Sequence, residues 1–177
     1  MIVLRAPLNG EDIRRLKTGD EVRLEGTIYA ARDAAHKNIV DAIHKGEVLP
    51  FDLQGQIIYY VGPCPAPPGK VIGSAGPTTS GRMDAYAPLL MERGLKAMIG
   101  KGNRSPEVIA AMKKYDAVYL AAVGGAGAYL SKRIDAVETI AYPELGPEAL
   151  LKMNVHDFPC IVAIDSRGEN IYDLNLV

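Results

Sequence analysis

Four short segments carry polar groups that a packed core does not need, and each lies beside glycines or at the start of a helical pattern. The first is Gly76-Pro77-Thr78-Thr79-Ser80-Gly81-Arg82. Proline and glycine set the backbone, three hydroxyls sit side by side, and Arg82 opens the next helical stretch. Free N–H groups and a positive dipole at a helix start suit a carboxylate or a phosphate. A plain cap of small polar residues is the alternative. Arg82 tells against that alternative, because a cation opposes the dipole there unless an anion is also present. Arg32 shows the same anomaly at a strand-to-helix junction beside Asp33 and His36. It could instead pair with Asp33 or Asp41. Third, Lys101 stands between Gly100 and Gly102, where the backbone can approach a ligand closely. A solvated loop lysine is the alternative. The fourth segment is Gly124-Gly125-Ala126-Gly127. A dinucleotide fingerprint would need a further glycine where Leu130 stands, and an acid for the ribose. Close helix–strand packing, or lining a neighbouring site, fits this segment better.

Other chemistry lacks residues. His36, His44 and His156 show no metal-ligand spacing with carboxylates or cysteines. No nucleophile elbow, phosphate-binding lysine loop or zinc-protease helix occurs. Cys64 and Cys160 are the only cysteines, too few for a disulfide scaffold or a cluster site within the chain. They read as two reduced thiols, with one disulfide as the alternative.

The elements that must position these segments alternate in type. Asn9 can cap a helix through Leu16. Glu21 to Ala30 alternates Val22, Leu24, Gly26, Ile28 and Ala30 against polar neighbours, the pattern of a half-buried strand. Asp33 is the expected cap of a helix to Lys45 with the stripe Ala35, Ile39, Ala42 and Ile43. Strands are expected at Gln56–Val61, Val71–Ile72, Ala97–Ile99, Ala117–Val123 and Val137–Tyr142. The proline-rich run from Gly62 to Gly69 must be a stiff loop. Helices are expected from Met83 to Arg93, from a Ser105-Pro106-Glu107 start, near Ala128–Lys132 and at Pro147–Met153. Ser166-Arg167-Gly168 reads as a hairpin turn between Cys160–Asp165 and Glu169–Tyr172. This interleaving makes the class α/β.

Composition agrees with an ordinary folded chain. It has 177 residues, of which 48% are hydrophobic and 23% charged, which fits one domain spanning 1–177. Twenty basic against 21 acidic residues leave a net charge of -1, so a role built on nucleic-acid binding loses ground. The apolar stretch from Ala117 to Leu130 is broken by glycines and short of the roughly 18–20 residues a membrane span needs. The first residues lack a basic region followed by an apolar core. A cytoplasmic protein without membrane contact is expected.

Four blocks carry a resemblance: Arg32-Asp33-Ala34-Ala35-His36-Lys37, the motif from Gly76 to Asp84, Ile99-Gly100-Lys101-Gly102, and Ala121 to Ala128. They resemble the C-terminal domain of class I iron–sulfur fumarases, which also occurs as the separate β subunit of two-chain fumarate hydratases and L-tartrate dehydratases. The resemblance runs from about Leu8 to Tyr172. It implies a "swivelling" β/β/α domain of three layers with a mixed sheet. It implies reversible hydration of fumarate to L-malate at a [4Fe-4S] cluster held by three cysteines of a partner α subunit, in a hetero-oligomer of αβ units. Neither Cys64 nor Cys160 matches those ligands, so the chain itself would bind no cofactor or metal.

The resemblance assigns Arg32, Thr78, Thr79, Arg82 and Lys101 to substrate binding, with Thr78 as the base that takes the carbon-bound proton. The chemistry is consistent. Deprotonating a carbon next to a carboxylate adds charge to an anion, so cations must be placed there beforehand. Arginine forks fix orientation as well as charge. A threonine hydroxyl can serve as base only where cations support its alkoxide. The substrate could equally be tartrate, because both share these motifs. A non-catalytic dicarboxylate-binding module and a nucleotide-dependent enzyme using the glycine loop are the alternatives of other kinds.

Overall fold

In a computed structural model, which describes residues 1–122 and 126–174, strands and helices alternate along the chain. The elements are β1 (Ile2–Arg5), α1 (Gly10–Arg14), β2 (Glu21–Ala30), α2 (Asp33–His44), β3 (Ile57–Tyr59), α3 (Ala87–Glu92), β4 (Ala97–Gly100), α4 (Pro106–Tyr115), β5 (Val118–Ala121), α5 (Gly127–Ser131), β6 (Ile134–Ala141) and β7 (Leu150–Ile164). Short 3₁₀ turns occupy Ser80–Met83 and Pro143–Glu148.

The sheet is mixed. β1–β2, β2–β3, β3–β4 and β4–β5 pair parallel, while β7 runs antiparallel to β2, β5 and β6. Because β7 bonds both β2 and β5, the strands β2, β3, β4, β5 and β7 close a circuit. Period-two alternation on β3, β4 and β5 then serves two cores. Ile57, Tyr59, Ala97, Ile99, Val118 and Leu120 face inward, against Leu24 and Ile28 of β2 and Phe158 and Val162 of β7. Ile58, Tyr60, Met98 and Tyr119 face outward, under Ile39 of α2, Leu90 of α3 and Met112 of α4. Sheet, sheet and helices thus stack in layers, as an α/β chain must to cover both faces of a parallel sheet.

Local chemistry explains most boundaries. Asn9 caps α1 in a capping box with Asp12. Ser105 caps α4, with Pro106 in its first turn. Gly46 ends α2 with φ 69°. Five expectations need correction. Arg32, not Asp33, is the N-cap of α2, and it makes no side-chain cap bond. The Met83–Arg93 helix is split into a 3₁₀ turn and α3, because Pro88 fits only in a first turn. Val71–Ile72 is not a strand. Cys64 N–H donates to Ser74 O at 2.9 Å and Gly73 N–H to Cys64 O at 3.2 Å, folding the proline loop back so that Ile72 and Ala75 plug the inner core. Pro147–Met153 is not a helix either: the 3₁₀ turn ends at Glu148, and β7 takes over because Leu151 and Met153 are needed in the barrel wall. The hairpin around Ser166 reduces to a bridge between Ile164 and Asn170. Residues 123–125, including Gly124 and Gly125 of the glycine segment, lie outside the described residues. Among the described residues, no helix is long and apolar enough to cross a membrane.

Candidate active site

Three of the segments meet at the carboxyl ends of the parallel strands, the customary ligand edge of such sheets, and Gly127 of the fourth backs onto Gly76. Arg32 follows β2, Gly62 follows β3, Lys101 follows β4 and the glycine segment follows β5. Thr78 is wedged between two of these ends. Its N–H donates to Tyr60 O at 2.7 Å, and its carbonyl accepts from Lys101 N–H at 3.3 Å. Thr79 bridges Lys101, and Ser80 N–H donates to Lys101 O at 2.9 Å. The threonines are therefore held by backbone bonds on both sides, with Thr78 half-buried and Thr79 exposed.

Arg82 crosses to the start of α2, where its Nε donates to Asp33 Oδ2 at 2.9 Å. Arg32 lies flat on Gly62: a Cβ there would stand 2.9 Å from its Cδ and Nη1. Its Nε is 3.7 Å from Glu148 Oε1, within reach of an ion pair but too long for a hydrogen bond. The Nε of Arg32 and Oδ1 of Asp33 are buried without a hydrogen-bond partner. The structure thus brings Arg32, Thr78, Thr79, Arg82 and Lys101 into one connected edge. Arg32 pairs with neither Asp33 nor Asp41.

Beneath this edge lies a buried polar layer that reading the residues did not anticipate. Arg104 Nε donates to Asp84 Oδ1 at 2.7 Å and its Nη2 to Tyr60 OH at 3.2 Å. The guanidinium also covers the Tyr119 ring at 4.9 Å from its centroid. Tyr119 OH donates to Gly102 O at 2.8 Å and lies 2.7 Å from Ser80 Oγ. Ser80 is thus a structural hydroxyl, separated from Thr78 and Thr79. Gly100 is spent on it, since a Cβ at 100 would collide with Ser80 Oγ. Gly102 sits at φ 84°. Gly100 therefore serves the protein's own packing, whereas Gly102 answers to its left-handed backbone, with open space where a Cβ would stand. Gly127 likewise backs onto Gly76 and Ser74. Asp84 closes the Gly76–Asp84 motif and Arg104 precedes the Ser105 cap, but no spacing rule links the two.

His36 is fully buried, with Nδ1 2.8 Å from the Arg32 carbonyl. A carbonyl only accepts, so Nδ1 carries the proton. Burial lowers its pKa to about 4 despite that bond, so the ring is neutral near pH 7. Tyr119 and Tyr60 are pushed up by burial and are no bases in this state.

The family model for the fumarase C-terminus matches residues 1–175. The chain is 41% identical over 172 residues to a putative L(+)-tartrate dehydratase subunit beta of Methanocaldococcus jannaschii, covering 94% of this chain and 88% of that protein. It is 41% identical to a putative class I fumarate hydratase of Geobacillus stearothermophilus, over 98% of this chain but 34% of the relative. With fumarate hydratase 2 of Leishmania major it shares 41% identity, over 94% of this chain and 30% of the relative. The chain therefore spans about a third of these fumarate hydratases and nearly the whole of the tartrate dehydratase subunit. On the family match and these identities, the chain belongs to the fumarase C-terminal domain family.

Proposed function

We propose that this chain is the β half of a hydro-lyase acting on a four-carbon dicarboxylate, most simply fumarate and L-malate. One observation carries the reading: three cations and two threonine hydroxyls from separate segments share one strand edge, locked by backbone bonds around Thr78. In this reading Arg32 and Arg82 grip the substrate carboxylates. Lys101, whose backbone brackets Thr78, supports charge as Thr78 takes the carbon-bound proton.

A [4Fe-4S] cluster does not fit this chain's own residues. Cys160 is buried in the barrel wall, where burial pushes its thiol up, and Cys64 is exposed on the proline loop. The cluster is assigned by this reading to a partner α subunit in a cytoplasmic hetero-oligomer. The near full-length match to a tartrate dehydratase subunit supports a separate β chain, and it favours tartrate as the second reading.

Anaerobic co-expression with a cluster-bearing α chain, assayed on L-malate, fumarate and both tartrates, tests the proposal. Turnover by the pair and none by either chain alone is expected. Activity of this chain alone would overturn it, as would an inactive pair that carries an intact cluster. Thr78→Val in the active pair should lose roughly 10²–10⁴ in kcat. Exchange of the malate C3 proton with deuterium at the unaltered rate would give the base role to another group.

A further inference from the structure

Both site arginines meet a carboxylate of their own chain at the same atom. Arg82 donates from Nε to Asp33 at 2.9 Å, and the Nε of Arg32 lies 3.7 Å from Glu148. A guanidinium has five donors in a rigid fork, and a partner at Nε fixes the plane while leaving the Nη1 and Nη2 ends for a second anion. Among the described residues, neither arginine makes a side-chain hydrogen bond through a terminal nitrogen. The arrangement also resolves an oddity of charge. Asp33 in the first turn of α2 suits the helix dipole, and it holds the cation of Arg82 over that same helix start.

Glu148 reaches Arg32 from a specially shaped segment. It ends the 3₁₀ turn that follows Tyr142, which has φ 58°, and this turn contains Gly146 at φ 60°. Left-handed backbone at a tyrosine is uncommon. The turn lays its Pro147 carbonyl 3.5 Å from where a Cβ of Gly62 would be, on the same glycine that supports Arg32.

We infer that Asp33 and Glu148 are positioning residues: Asp33 holds Arg82 through an Nε hydrogen bond and Glu148 draws Arg32 by charge, so that the terminal nitrogens of each arginine face a substrate carboxylate. Two forks aimed in this way select a ligand with two carboxylates over one with a single carboxylate. The inference rests on the dicarboxylate reading above and adds the two residues that aim its binding groups. Both pairs are partly exposed, and exposed pairs contribute little to stability. Their loss should therefore disturb binding without disturbing folding, which separates aiming from a merely structural role.

The test has two arms. In the isolated chain, the Arg82 Nε–H resonance is followed by ¹H–¹⁵N NMR with and without Asp33→Asn. A downfield signal that moves upfield in the variant is expected; an unchanged signal overturns the inference. In the assembled αβ enzyme, Asp33→Asn should raise KM for the dicarboxylate by about tenfold or more, with kcat within about threefold. Glu148→Gln should raise KM by a smaller factor, since its contact is longer. The melting temperature should not move, and Asp33→Glu should restore part of the affinity. An unchanged KM, or a fall in kcat together with melting temperature at constant KM, overturns the inference. If the wild-type αβ enzyme turns over no dicarboxylate, the functional reading fails, while the resonance still decides whether Asp33 holds Arg82.

Discussion

Arg104 and Arg82 are each bound through Nε to an aspartate, at 2.7 and 2.9 Å, yet they do opposite things. The Arg104 side chain is 0% exposed, and its other nitrogens are taken by Tyr60 OH and, more weakly, Met98 Sδ. The Arg82 side chain is 51% exposed and, among the described residues, uses only Nε. The pairing itself therefore does not mark a functional arginine; the donors left over do. A guanidinium with each nitrogen bonded in a buried layer is a fastener. One with a free fork at a strand edge has donors left for a ligand. Arg104 fastens Asp84, Tyr60 and Tyr119, which in turn hold the backbones around Thr78 and Lys101, so the inner layer sets the geometry that the outer layer uses.

Breaking the inner pair should have the largest effect. Arg104→Met leaves the Asp84 carboxylate with only the Ser105 N–H to satisfy it and removes the Tyr60 contact, and urea unfolding should show a loss of about 3–5 kcal/mol. Arg82→Met should change stability by less than about 1 kcal/mol. Equal losses in the two variants would erase the distinction between the layers.

The outer layer should respond in catalysis. In the assembled enzyme Arg82→Lys keeps the charge but loses the fork, and kcat/KM should fall by about 2–5 kcal/mol. Near wild-type kinetics would make Arg82 a surface residue.

Acid offers a third comparison, because His36 lies between the layers, its ring edge-on to Tyr60 and its Nδ1 on the Arg32 carbonyl. An unfolded imidazole takes up a proton near 6.5, and this buried one not until about 4. Stability should therefore be full above that window and fall as pH drops through it, by about 3 kcal/mol at most. Burial alone would raise the Asp165 carboxyl. The backbone N–H groups of Thr18, Arg167 and Glu169, with the Arg167 guanidinium, outweigh it and hold the group below 3.8, so further stability is lost at still lower pH. Urea curves at pH 7, 5 and 4 should show the decline, and His36→Gln should flatten its upper part. A level wild-type profile would mean that His36 is not buried in this way.

A more modest loss is expected at the joint between the layers. Gly100→Ala pushes Ser80 off Tyr119 and should cost about 1–3 kcal/mol. Adding Ser80→Gly should recover part of the loss, and a neutral single variant would show that the joint is loose.

Much of the frame was legible in residue order. The alternation from Val22 to Ala30 gave β2 with the expected bounds, and Ser105-Pro106 marked the start of α4. Cap chemistry and period-two patterns act within a few residues, so they survive without knowledge of the fold. Errors fell where distant partners rule. Leu150 to Met153 looked helical alone but completes the long strand that closes the circuit with β2. Ile72 looked like strand and is a plug.

The same division holds at the site. Residue types alone raised Arg32, Lys101 and the hydroxyl run before Arg82 as candidates beside plainer readings, and only the resemblance gave Arg32, Thr78, Thr79, Arg82 and Lys101 roles toward a substrate. The motifs around them also carried the family, since blocks in fixed order are a property of the chain and not of its folding. Only the tertiary structure separated Ser80 from its neighbouring hydroxyls, gave Gly100 its internal purpose, and joined Arg104 to Asp84 and Glu148 to Arg32. Those assignments depend on contacts between residues 20 to over 100 positions apart. Local propensity carries no information at that range; closure of the sheet creates it.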